Sequence, residues 1–138
     1  MGLITAQRTA RMGLESDYDK SLREARMRGY EKLWCELEPL AKYSRPLPMK
    51  FEELESLTEK LKEWYFRAGG MYMSPATRDA YFALQDALLN LTSASTVPVG
   101  ISGDEYEALR KLGSTLRTAM AEDLLARKPL MLAASHHP

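Results

Sequence analysis

The apolar positions of this chain recur at helical spacing, and no stretch alternates long enough to read as a strand. From about Asp17 to Glu38 the residues Leu22, Gly29, Tyr30, Leu33, Leu37 and Leu40 fall on one side of a wheel turned ~100° per residue, with Trp34 on its flank. From Tyr30 onward the spacing is three-four-three, the seam of an antiparallel bundle. Before Tyr30, Arg23 and Arg26 stand where apolar residues would continue that seam. The C-terminal half of this helix is therefore expected in the core, and its N-terminal half is expected to project or to meet a partner. Ser16 and Asp17 offer caps, and Asp19 suits the positive end of the helix dipole. Residues 1–15 read as an arm that orders against a partner.

Pro39 either kinks the first helix or opens a short second one, because it has no backbone N–H to donate. Pro46 and Pro48 make an extended crossing of the stretch from Tyr43 to Pro48. The next helix is expected over about Phe51 to Ala68, with Phe51, Leu54, Leu57, Leu61, Trp64, Tyr65 and Ala68 on one stripe. Phe66 lies roughly 150° from the centre of that stripe. Either the helix tightens at its end, or Phe66 is covered by the connector or by another chain. Gly69 or Gly70 is expected to stop the helix in a left-handed conformation. Ser74 and Pro75 then supply the N-cap and first residue of a third helix, Pro75 to Leu91. Its main stripe is Ala76, Ala80, Leu84, Ala87, Leu88 and Leu91, widened by Tyr81 and Ala83, while Phe82 and Leu89 sit seven apart on the other side.

The stretch from Thr92 to Gly100 is a small-residue linker. Ser102 and Glu105 form a capping box that opens a last helix, Gly103 to Arg127, with the stripe Tyr106, Leu109, Leu112, Leu116, Met120 and Leu124. Asp123 falls inside that stripe and is assigned to the solvent edge, since a carboxylate on an apolar face otherwise needs a cationic partner. Pro129 ends the helix, and Leu130-Met131-Leu132 begins a sticky tail. The expected fold is all-α: a bundle of about four principal helices with a long N-terminal helix and a central helical hairpin. The bundle spans 16–128, between an arm (1–15) and a C-terminal tail (129–138).

Composition narrows the partners. Lys plus Arg equals Asp plus Glu at 19 each, so the basic excess of a dedicated nucleic-acid binder is missing. No apolar run approaches the roughly 20 residues of a membrane-spanning helix. The single cysteine, Cys35, excludes an internal disulfide and fits a reducing, cytoplasmic setting. It points away from the apolar stripe and is read as half exposed rather than catalytic. The two histidines, His136 and His137, stand at the C-terminus, so a catalytic triad lacks its base. No Glu-x-x-His pair or comparable ligand cluster occurs, and no Lys-Ser or Lys-Thr follows the glycine pair. No cofactor, metal or enzymatic activity is therefore expected.

Two groups of residues carry the functional expectations. At the connector, Gly69, Gly70, Ser74, Thr77 and Arg78 gather flexible backbone, hydroxyls, a helix N-terminus and a guanidinium, the elements of an anion site. Trp64, Tyr65, Tyr72 and Tyr81 would wall it. The plain alternative is a capped hairpin with Arg78 paired to Asp79, Glu63 or a carbonyl. The second group is an interface: Phe66, Phe82 and Leu89, with Arg23 and Arg26 on the first helix. The plain alternative for those arginines is a solvated face balanced by Asp19, Glu24 and Glu31. The leading expectation is a non-enzymatic interaction or self-assembly module, a dimer first and a foreign protein partner second. Small-anion binding is the alternative.

Tyr30-Glu31-Lys32-Leu33-Trp34, the run from Glu38 to Pro46, Trp64-Tyr65-Phe66 with Gly69-Gly70, and the run from Thr77 to Gln85 together resemble bacterial helical proteins of unassigned activity. Many of those are tethered to a membrane by a preceding hydrophobic helix. The resemblance covers residues 30 to about 90 and implies the helical hairpin but no chemistry. The tether has no counterpart among these residues, which leaves association with a membrane surface open.

Overall fold

A computed structural model describes residues 2–41, 49–94 and 100–125, with side chains from residue 17 onward. The extended crossing expected at 43–48, most of the linker, and the tail from Pro129 with both histidines lie outside the described residues. Four helices run in order: α1 (Gly2–Glu36), α2 (Phe51–Trp64), α3 (Pro75–Ala94) and α4 (Gly103–Leu125). There is no strand among the described residues, and no helix among them is long and apolar enough to cross a membrane.

Each helix packs antiparallel to the next, and α4 closes back on α1. Gly29 of α1 meets Ala68 and Gly69 beyond the end of α2. Leu61 and Thr58 of α2 face Tyr81 and Gln85 of α3. Thr77 at the start of α3 meets Asp123 near the end of α4, and Asp123 meets Tyr30 of α1. Such up-and-down order is what short connections between antiparallel neighbours produce. The core is the inner stripes combined: Tyr30, Leu33, Leu37 and Leu40; Leu54, Leu57, Leu61 and Trp64; Leu84 and Leu88; Leu109, Leu116 and Met120.

Several expectations change in detail. α1 is already helical from Gly2, so Ser16 and Asp17 lie within it rather than at its start. Of the two readings of Pro39 the second holds: α1 ends at Glu36, and Pro39 lies near the start of a separate short 3-10 helix, Glu38–Leu40. On α3 the buried face is Thr77, Tyr81, Leu84, Gln85 and Leu88, while Ala76 is exposed. The stripe has turned toward the larger side chains because Tyr81 buries more apolar area than an alanine. The cap at Ser74 forms, with the Thr77 N–H donating to Ser74 Oγ at 3.3 Å. The Ser102–Glu105 box closes in both directions, at 2.9 and 3.1 Å.

The end of α2 neither tightens nor stops on a left-handed glycine. It widens into a π turn, Tyr65–Gly69, in which the Gly70 N–H donates to Tyr65 O, and then narrows to a 3-10 turn, Gly70–Tyr72. Phe66, within this wide turn, stays on the side away from the stripe and is 76% exposed. Gly69 and Gly70 have φ of −141° and −57°, so neither uses left-handed backbone. Gly69 is needed for space: a Cβ there would lie 2.2 Å from the Trp64 ring. The described residue that does need glycine's conformational freedom is Gly100, at φ 105°, beside the Ile101 N–H that donates to Met49 O and ties the entry of α4 to the entry of α2.

Candidate functional site

The connector between α2 and α3 meets α1 and α4 in a buried polar cluster. Asp123 is 1% exposed, not at the solvent edge. Its Oδ2 accepts from Tyr30 Oη at 2.8 Å and from Thr77 Oγ1 at 2.7 Å. Tyr72 O is also near the Tyr30 hydroxyl, but at 3.5 Å. A phenol has one proton to donate, and distance assigns it to the carboxylate. Ser74 Oγ donates to Thr77 Oγ1 at 3.2 Å while accepting from the Thr77 N–H, so the N-cap and the carboxylate lie on one directed chain of hydrogen bonds. Chains of this kind polarise each member in a low-dielectric interior. Asp123 Oδ1 is buried without a hydrogen-bond partner among the described residues.

Arg26 closes the cluster from the α1 side. It is 3% exposed, so it belongs to neither an open interface nor a solvated basic face. Its Nε donates to Tyr72 O at 2.7 Å, and its guanidinium stands 6.0 Å from the centre of the Tyr30 ring. Burial, and then the charge of Asp123, push the Tyr30 hydroxyl well above the ordinary tyrosine value. A cation and an anion that each interrupt an apolar stripe are thus brought to the same tyrosine. An ion left in such a place alone would cost far more than one with these partners.

A second cluster is aromatic. Trp64 is buried, and its Nε1 donates to Gly29 O at 2.7 Å, pinning α2 to α1. Tyr81 Oη donates to Leu61 O at 2.8 Å and accepts from Gln85 Nε2 at 3.2 Å. Burial raises the Tyr81 hydroxyl above its ordinary value despite that Gln85 contact. Tyr65 stacks on Tyr81, with ring centres 5.1 Å apart, and touches Phe66 and Phe82 on its other sides at 5.2 and 5.5 Å. The stack carries the apolar surface from the core outward. Phe82 and Leu89 are 42% and 48% exposed on the outer face of α3.

The residues grouped as an anion site separate by depth. Trp64, Gly69, Gly70, Ser74, Thr77 and Tyr81 are buried, and Tyr72 and Arg78 are half-buried. The hydroxyls of Ser74 and Thr77 turn toward Asp123, so the negative charge at the start of α3 is supplied by the chain itself. Arg78 pairs with neither Asp79 nor Glu63; Glu63 pairs with Arg67 at 3.6 Å. Of the interface group, Arg23, Phe66, Phe82 and Leu89 are exposed, and Arg26 is not.

Sequence reasoning missed one further surface. Between α1 and α4 an open groove of about 580 Å³ is lined chiefly by Tyr30, Trp34, Cys35, Met120, Leu124 and Leu125. Trp34 is 51% exposed there, and the Arg117 guanidinium lies 6.0 Å from its ring. Burial and the nearby Arg110 lower the Arg117 pKa from its ordinary value. The wheel placed Trp34 on the flank of its stripe, but only the packing of α4 makes that flank a wall. Among the described residues, no group of three or more His, Cys, Asp or Glu side chains converges as a metal site would require. No family model matches the chain, and neither a curated protein nor a solved structure matches it.

Proposed function

We propose that this protein is a non-enzymatic helical module that works by protein association, with a second copy of itself as the first partner. The observation that carries this reading is the outer face of α3. Phe82 and Leu89 are exposed there, two turns apart, and Phe66 extends the patch across Tyr65. Contiguous apolar surface rimmed by polar residues marks association surfaces on soluble proteins. The polar cluster gives the patch a rigid base, since Thr77 ties the start of α3 to Asp123 of α4. The exposed thiol of Cys35 fits a reducing compartment such as the cytoplasm.

Anion binding at the connector draws less support, because the Ser74 and Thr77 hydroxyls are already engaged within the chain. Light scattering of the wild type at tens of micromolar, beside Phe82→Asp/Leu89→Asp, tests the association. A dimer is expected for the wild type and a monomer for the double variant. A monomeric wild type ends the reading, and a dimer that survives the double substitution moves the interface away from α3.

A further inference from the structure

Two charges flank Phe82 on the open face of α3 at equal distance. Arg78 lies one turn before it and Asp86 one turn after, four residues each way, so all three share one i±4 ridge. Their signs are opposite. Neither side chain forms a hydrogen bond or ion pair with another described residue. Asp86 is exposed and Arg78 half-buried. A ridge ordered plus, apolar, minus is complementary to itself when reversed.

We infer that two copies of this chain pair through antiparallel α3 helices about a two-fold axis beside Phe82, with Arg78 of each copy facing Asp86 of the other. This rests on the self-association reading and adds its register. Packing of i±4 ridges against one another is the commonest helix–helix geometry, and it lays such ridges parallel. A two-fold axis then repeats each contact, so two ion pairs bracket one phenylalanine pair. Arginine suits the contact because its planar fork meets a carboxylate bidentately. A parallel arrangement would set Arg78 against Arg78 and Asp86 against Asp86, which like-charge repulsion disfavours. Among the described residues, neither Arg78 nor Asp86 has a side-chain partner that would compete with this pairing.

The test uses charge reversal in the full chain, read by sedimentation velocity, with far-UV circular dichroism confirming that each variant folds. Arg78→Asp places two acids opposite each other, and Asp86→Arg places two bases; each is expected to weaken the dimer at least tenfold. The double reversal Arg78→Asp/Asp86→Arg restores the pairing and should return the dissociation constant to within about threefold of wild type. Mixing the two single variants is the sharper arm. One chain then offers two acids and the other two bases, and a mixed dimer tighter than either variant alone is expected. A wild-type dimer whose single variants are unweakened, or whose mixture stays monomeric, overturns the register while leaving self-association standing. A monomeric wild type overturns both.

Discussion

Removing the Tyr30 hydroxyl tests the buried cluster most directly. Tyr30→Phe deletes one oxygen from a ring that is 1% exposed and leaves the rest of its packing in place. The lost bond is the 2.8 Å contact to Asp123 Oδ2, one of two that this carboxylate receives; its other oxygen has no partner among the described residues. A hydrogen bond to a charged acceptor contributes about 1.5–3 kcal/mol, and the acceptor here stays buried when its donor leaves. Tyr106→Phe supplies the control. Its hydroxyl donates at 2.9 Å to Pro39 O, a neutral carbonyl at a part-buried site, where about 0.5–1.5 kcal/mol is expected. Thr77→Val removes the second donor to Asp123. The Tyr30→Phe/Thr77→Val pair should couple by more than about 0.5 kcal/mol, because both groups share one oxygen. Urea unfolding followed by circular dichroism gives each value from the midpoint at constant m. If Tyr30→Phe costs no more than Tyr106→Phe, or the two cluster variants add independently, Asp123 does not depend on these donors and the account of the cluster fails.

Leu61→Ala, at a fully buried site in the last turn of α2, should cost about 2–5 kcal/mol in the same assay, and a loss below ~1 kcal/mol would break the register given for that helix. The glycines should divide by position. Gly69→Ala drives a methyl into the Trp64 ring and should cost about 1–3 kcal/mol, whereas Gly103→Ala meets nothing within 4 Å at the start of α4 and should be neutral or stabilising by about 0.5 kcal/mol in thermal or urea unfolding. Alkaline pH should destabilise the protein through Tyr30. Its folded-state pKa is raised above the unfolded value of about 10, so the unfolded chain gives up this proton first. The stabilisation is complete below that value and is lost as pH rises from it toward the folded-state pKa. Stability measured from pH 8 to 11 should fall more steeply in wild type than in Tyr30→Phe.

The all-helical class, the inner stripes of α1, α2 and α4 and the caps at Ser74 and Ser102 were legible in the sequence, because helix periodicity and capping are local properties of a few neighbouring residues. The same locality explains the corrections. Arg26 and Asp123 each interrupt an apolar stripe, and either one alone reads most simply as an exposed charge. Arg26 stands one turn before Tyr30 on α1 and is covered where the connector brings Tyr72 O to it, while Asp123 is buried because α4 runs antiparallel to α1 in the register that brings it to Tyr30; no local pattern contains either contact. Gly69 likewise looks like a left-handed stop until the Trp64 ring occupies the space its Cβ would take. The groove beside Trp34 exists only because α4 packs along one flank of α1. Sequence periodicity determined the inward faces of α1, α2 and α4; tertiary packing turned α3 toward Tyr81 and decided which faces meet, and so which charges find partners and which apolar residues stay uncovered.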